Sequence, residues 1–318
     1  MVLDRLANRV RRRRETSLRW AIVTSAPKGE AGEQWGDTWF ARDLAAALRR
    51  AGQDARVVSR AGANSERRSQ DDVVLVLRGL REVRPPRDRD NTWLLWVISH
   101  PELVTEEELR DFDAVFAASE FWAAPGGVSV TPLLQATEPA RFTPAAGTHE
   151  GSNVLFVGST RGEFRPAVRA ALQSSRTEDL EIYGVGWAEY VEPDQIAGEF
   201  LPNEDLPAAY ASAQIVLNDH HREMAREGFL SNRLFDAVAS GARVLTDRAR
   251  GIEEVFGDAV VVYEDEDHLA ELLAQPLEAV FPDEASRQAA AERLARDHSF
   301  DARASALISS AKQLRGGA

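Results

Sequence analysis

The sequence contains no cysteine, which excludes disulfides and thiolate-bound metal. It has no uninterrupted apolar run approaching the roughly 18 residues of a membrane-crossing helix, and no apolar stretch follows the basic residues at its start. A soluble, cytoplasmic protein without a secretory leader is the expectation. Positive charge is the scarcer sign: 38 Lys and Arg stand against 51 Asp and Glu, a net charge of −13. That deficit argues against nucleic acid as a partner, because displacing counterions from phosphate requires a positive field. One segment runs the other way. Residues 1–20, MVLDRLANRVRRRRETSLRW, hold seven arginines against Asp4 and Glu15, +5 overall, which leaves −18 for the remainder. Leu3, Leu6 and Val10 fall at helical spacing, so this arm reads either as a solvated basic extension or as an amphipathic helix making a weak peripheral membrane contact. Three apolar residues supply little insertion energy, which favours the first.

What is present is an alternating series of strands and helices. A chain of 318 residues, 44% hydrophobic and 28% charged, is long enough for two domains, since single cores rarely grow past about 250–300 residues. LRWAIVTSAP (from Leu18), DARVVSR, DDVVLVLRG, NTWLLWVIS and DAVFAAS read as strands, with helices TWFARDLAAALRRAG (from Thr38) and TEEELRDF among them. Near-continuous Val, Ile and Leu in the strands imply a parallel sheet covered on both faces. TPLLQATEPARFTPAAGTHEGSN (131–153) lacks periodicity and reads as a linker. A second series follows: VLFVGS, LEIYGVG, QIVLND, ARVLTD and VVVYED as strands, with helices RPAVRAALQSS, DLPAAYASA, one opening at Ser231, and HLAELLAQ. The expected fold class is α/β, two Rossmann-like doubly wound parallel-sheet domains over residues 1–147 and 151–298. A terminal helix of about 300–318, after a break at DHSF, would return to the first domain.

In such sheets ligands bind beyond the carboxyl ends of the strands. The helix within GFLSNRLFDAVASGARVLTD (228–247) has Ser231 as N-cap, Gly241 as the residue after its end, and Leu234, Phe235, Val238 and Ala239 as its apolar face. Asn232 and Arg233 then occupy its first turn, where unpaired N–H groups and the dipole favour an anion, and Asp236 lies one turn on, beside Asn232. A diphosphate at the tip and a diol one turn along fit this spacing. An ordinary Arg233–Asp236 salt bridge on a solvated face fits it equally.

Taken together, GFLSNRLFDAVASGARVLTD, GIEEVF and VVVYEDEDHLAELL resemble the nucleotide-binding domain of GT-B glycosyltransferases of the group 1 and CgeB-like kind, over about residues 151–300. The resemblance implies two domains facing a central cleft. It implies a hexosyltransferase-type enzyme, as in cell-surface glycan biosynthesis, that moves sugar from a nucleotide-diphosphate sugar to a glycan, lipid-linked glycan or small-molecule acceptor. No metal or other cofactor is expected. In the family two glutamates eight positions apart bracket this helix start. The second corresponds to Asp236 and implies ribose binding; the first falls at Gly228, with only Glu227 nearby, so retaining stereochemistry does not carry over. VLFVGSTRGEFR resembles the loop at Gly158 whose basic residues neutralise the diphosphate, with Arg161 as the first candidate and Arg165 as the second. It is not a P-loop, because no GK[ST] follows. IYGVGW resembles the strand end beside the nucleobase, with Gly184 and Gly186 permitting close approach and Trp187 stacking. Asn218, closing QIVLN, would line the donor side.

Resemblance in the first domain rests on PKGEAGEQWGDTWFARDLAAALRRAG, which places Gly36, Asp37 and Thr38 at a helix start facing donor phosphate or acceptor; Asp37 also fits a plain N-cap. His100 follows a strand in WVISHPE, with Glu102 close behind. It suits a general base for an acceptor hydroxyl, a donor to sugar or phosphate, or a structural cap on its loop. Asp265-x-Asp267 reads as the acidic start of a helix, and His220 and His221, adjacent at a strand end, diverge too far to share a metal; either fits the donor side of the cleft instead. A nucleotide-sugar epimerase of the same fold and a nucleotide-binding protein with a degenerate site stay open as alternatives.

Overall fold

The computed structural model describes residues 17–63, 70–144 and 153–316. The basic arm lies outside them apart from its last four residues. The chain divides into two compact units. The first runs to Ala118 and takes back Ala123–Leu133 and the stretch from Phe300 onward; the second holds Ser119–Trp122 and Leu134–Ser299. Composition alone had placed the start of the second near residue 151. The difference arises because part of the aperiodic linker is packed: Leu134 and Phe142 join the core of the second unit, and Thr137 N–H donates to His298 O at 3.0 Å.

The first unit is one parallel sheet of β1 (Arg19–Val23), β2 (Asp54–Val58), β3 (Val73–Arg78), β4 (Thr92–Val97), β5 (Ala114–Ala117) and β6 (Thr131–Pro132), in the order β2-β1-β3-β4-β5-β6. Every residue of β3 and β4 is buried, as expected of central strands covered on both faces. Helix α1 (Gly36–Arg50) buries Phe40, Ala41, Leu44, Ala45, Ala47 and Leu48, a stripe at helical spacing, and the chain leaves it through Gly52 at φ +84°. The terminal helix Phe300–Gly316 packs on α1 through an edge-to-face contact of Phe300 with Phe40, centroids 4.7 Å apart. An Arg50–Asp301 ion pair of 2.9 Å lies beside it.

The second unit is also a parallel sheet: β7 (Val154–Val157), β8 (Leu180–Tyr183), β9 (Ile196–Gly198), β10 (Ile215–Asn218), β11 (Val244–Asp247) and β12 (Val260–Tyr263), in the order β12-β11-β10-β7-β8-β9. Alternate residues face opposite sides. Leu155, Val216 and Val244 meet α3 (Asn232–Ala239) and α4 (Glu284–Asp297); Val154, Phe156, Ile215 and Leu217 meet α2 (Pro166–Gln173) and the helix Glu266–Ala274. The chain begins at β7, builds outward through β8 and β9, then returns to β10 on the other side. β7 and β10 therefore form a topological switch point, where diverging connections leave a crevice at the carboxyl ends. No helix of the described residues is long and apolar enough to cross a membrane.

Candidate active site

Three arginines converge on the carboxyl ends of β7 and β10. Arg165 is only 1% exposed: its Nε donates to Asp219 Oδ2 at 3.1 Å, its Nη1 to Ser159 O at 3.0 Å, and Asp219 forms its ion pair. Its guanidinium sits 4.6 Å from the centroid of the Phe156 ring, and that of Arg233 sits 5.3 Å from the same ring. Gly158 lies against both. A Cβ there would fall 2.8 Å from Arg165 Nη1 and 3.0 Å from Arg233 Nη2, so a side chain would displace them. Arg161 is the third. It takes a left-handed backbone (φ 57°), reaches the surface and has no hydrogen-bonded partner among the described residues.

The electrostatics follow from this crowding. Atoms packed around Arg161, together with the charge of Arg233, pull its pKa down to about 10. Burial, then the charges of Arg161 and Arg233, push Arg165 far below the ordinary arginine range. Asp219 pairs with Arg165 and Asp247 pairs with His220, so among the described residues no carboxylate is ion-paired to Arg161 or Arg233. An anion arriving here relieves the repulsion, with charge-assisted hydrogen bonds to gain.

Helix α3 enters this crevice by its N-terminus. Ser231 is its N-cap by position, but its hydroxyl makes no capping bond and its N–H donates to His220 Nε2 at 3.0 Å. Arg233 Nη1 donates to Asn218 Oδ1 at 2.7 Å and Nη2 to Val157 O, which ties the helix to both strand ends. Tyr210 also meets Arg233. Gly241 follows the helix end at φ +73°, as its position implied.

Several residues expected to touch a donor are engaged elsewhere. The carboxylate of Asp236 accepts from Asn232 Nδ2 at 2.8 Å and from Thr137 Oγ1 at 2.9 Å, so the ribose role implied by resemblance meets a group whose two oxygens are already bonded. Asn218 is wholly buried and bridges Arg233 to Thr246. Arg165 is likewise internal. Trp187 is not a stacking platform: it is 1% exposed, packs edge-on against Phe156, and donates Nε1–H to Gly158 O at 2.8 Å. Gly184 and Gly186 serve contacts within the protein, since a Cβ would fall 2.2 Å from Gly158 O at the first and 2.4 Å from Thr160 Oγ1 at the second. These residues shape the arginine site from behind.

In the first unit, a second cluster gathers at the carboxyl ends of β1, β3 and β4. Asp37 is at the second position of α1, whose N-cap is Trp35, so the plain N-cap reading does not hold. Its carboxylate lies against Gly79, where a Cβ would be 2.8 Å from Oδ2 and 3.3 Å from Ser25 Oγ. Burial pushes Asp37 up to about 6, against the opposing influence of His100. His100 adopts a left-handed conformation (φ 53°) and its Nδ1 lies 2.9 Å from Glu102 Oε1. A carboxylate only accepts, so Nδ1 carries a proton. Thr38 is buried with its hydroxyl on Gly32 O at 2.7 Å, which removes it from any acceptor contact, and Gly36 is the first residue of α1. Beneath the cluster, Arg78 and Glu108 form a buried pair at 2.6 Å, with Arg78 Nη2 also on Leu103 O at 3.1 Å, which braces the loop after His100.

Residues 161–309 match the family described as glycosyl transferase-like. Sucrose-phosphate synthase from Thermosynechococcus elongatus shares the fold at a TM-score of 0.63 and 14% identity, over 94% of this chain and 100% of that one. AviGT4, a glycosyltransferase involved in avilamycin A biosynthesis, does so at 0.62 and 18%, over 95% and 99%. Anabaena HepE, solved with UDP-glucose, follows at 0.60 and 12%, over 92% and 99%. The chain has the GT-B fold. No curated protein matches it in sequence.

The sequence departs from the GT-B pattern it resembles at the first glutamate for a steric reason. Gly228 caps the helix Arg222–Glu227 at φ +76°, and a Cβ there would fall 2.8 Å from Phe121 Cδ2. A glutamate would need both a left-handed backbone and the space of a phenyl ring. Glu227 next to it pairs with Arg226 at 2.9 Å, and its carbonyl accepts from Ser119 Oγ. His220, expected to share no metal and to line the donor side, lies just past the end of β10. Among the described residues no group of three or more His, Asp or Glu is placed to hold a metal ion. Asp265 caps its helix, accepting from His268 N–H at 2.9 Å.

Proposed function

We propose that the glycosyltransferase takes its nucleotide-diphosphate sugar on the second unit, with the diphosphate at the crevice of Arg161, Arg233 and the first turn of α3. The observation that carries this reading is the arginine cluster itself: among the described residues, three guanidiniums gather with a single ion-paired carboxylate, and Arg161 has no hydrogen-bonded partner. HepE, of the same fold, is solved with UDP-glucose, which supports a nucleotide sugar as the co-substrate. As the sugar departs, negative charge grows on the leaving diphosphate. Preorganised guanidiniums and amide N–H groups stabilise that charge without reorganisation, and transfer in this reading uses no metal ion.

On the first unit, His100 is the group suited to take a proton from an acceptor hydroxyl. Glu102 fixes its tautomer and Asp37 adds a nearby carboxyl with a pKa close to neutrality. The acceptor is a glycan, lipid-linked glycan or small molecule, and the site of action is cytoplasmic.

Arg161→Ala tests the donor assignment cleanly, because the side chain holds nothing together in the free protein. Loss of one charge-assisted contact should weaken binding of UDP, GDP or dTDP, whichever the wild type binds, by about ten- to a hundredfold. Thermal stability should stay unchanged. Wild-type affinity in that variant, measured by titration calorimetry, would remove Arg161 from the site.

A further inference from the structure

His220 sits between β11 and the opening of α3 with both ring nitrogens engaged. It is wholly buried, and each polar atom has one partner: backbone N–H donates to Asp247 Oδ2 at 3.0 Å, Nδ1 lies 2.6 Å from Asp247 Oδ1, and Nε2 accepts from Ser231 N–H at 3.0 Å. An amide only donates, so Nε2 carries the lone pair and Nδ1 the proton. From the other side, Arg233 Nη1 donates to Asn218 Oδ1, Asn218 Nδ2 donates to Thr246 Oγ1 at 2.9 Å, and Thr246 Oγ1 lies 3.3 Å from Asp247 Oδ1. Two hydrogen-bonded chains thus leave the opening of α3, one from the Ser231 amide and one from the Arg233 guanidinium. Both end on the same carboxylate.

His220 takes the N-cap amide, the place a capping-box side chain fills at other helix starts. The imidazole accepts the amide that precedes the first turn, which leaves the following N–H groups, of Asn232 and Arg233, pointing onward. At the same time the Asp247 carboxylate, reached through Thr246 and Asn218, holds the guanidinium of Arg233 at the ends of β7 and β10. We propose that His220 is a positioning residue of the donor site, fixing the amides of the first turn of α3 and, through Asp247, the guanidinium of Arg233 as one rigid anion-binding unit. This rests on the donor reading given above. His220 itself touches no substrate in this scheme.

The test compares two conservative replacements. In His220→Gln the side-chain carbonyl reaches the place of Nε2 and accepts the Ser231 amide; in His220→Asn the side chain reaches Asp247 but not Ser231. Binding of UDP, GDP and dTDP is measured by calorimetry. Each variant breaks one of the two links, so each should lose about tenfold in affinity relative to wild type. Wild-type affinity in both variants overturns the proposal and leaves the donor reading intact. A wild type that binds none of the three nucleotides overturns the donor reading itself. Hydrogen exchange on the wild type decides the point even where a variant does not fold. The Ser231 amide should be protected already in the free protein and unchanged by nucleotide, while the Asn232 and Arg233 amides gain protection only on binding. A Ser231 amide that gains protection with nucleotide refutes its capture by His220.

Discussion

Replacing Asp37 by asparagine should make this protein more stable and less active, and the gain should depend on pH. The Asp37 carboxyl is crowded against Gly79 at the start of α1, and burial lifts its pKa from 3.8 to about 6. The helix dipole favours the charge but does not outweigh the loss of water. Because the pKa is raised on folding, the folded chain holds more protons than the unfolded chain between about pH 4 and pH 6. Stability therefore falls as pH rises through that window, and the whole cost remains above it. A shift of this size corresponds to about 3 kcal/mol at most. Asp37→Asn removes it, so the variant should gain up to about 3 kcal/mol over wild type at pH 7.5 and close to nothing at pH 4. Urea titrations followed by tryptophan fluorescence suit the measurement, since five of the seven tryptophans belong to the first unit. Turnover with the best donor should fall in the same variant, as expected where a destabilised group serves the reaction. An equal gain at both pH values, or a loss at pH 7.5, would show that the carboxylate is not strained and would refute the reasoning.

Two further expectations concern packing under the sites. Gly158→Ala should displace the guanidiniums of Arg165 and Arg233, lowering nucleotide affinity by about tenfold and stability by about 1–3 kcal/mol; calorimetry showing unchanged affinity would mean that the two arginines can yield without consequence. Glu108→Ala should cost about 3–5 kcal/mol, because it leaves Arg78 charged and buried, whereas the double replacement Arg78→Met with Glu108→Leu should recover most of that loss. Chemical unfolding of the two variants side by side checks the difference, and equal destabilisation by both would show that packing rather than charge governs the site.

The architecture was legible because it repeats a simple pattern. Runs such as VVLVL and WLLWV, apolar at every position, read as strands buried on both faces, and the structure places them at the centre of their sheet. The stripe of α1 and the Gly52 and Gly241 exits were equally plain, since helical spacing and a left-handed residue after the last turn are local requirements. β6 and β9 escaped, being two and three residues long and without any period to detect. The packed part of the linker escaped for a related reason: Leu134 and Phe142 are separated by polar residues and only their burial reveals them.

For the site, the sequence by itself determined which residue types gather at which strand ends, because a parallel sheet delivers every carboxyl end to one edge. That was enough to bring Arg161, Arg165 and Arg233 to one place, and Asp37 and His100 to another. Only the tertiary structure decided which of them are free to act. Hydrogen-bond partners come from distant parts of the chain, so Thr137 takes Asp236, Asn218 takes Arg233, Gly158 takes Trp187, and a histidine read as a poor metal ligand becomes the acceptor that holds the helix tip. A side chain's type is written in the sequence, but whether its polar atoms are already bonded depends on neighbours that folding brings from elsewhere.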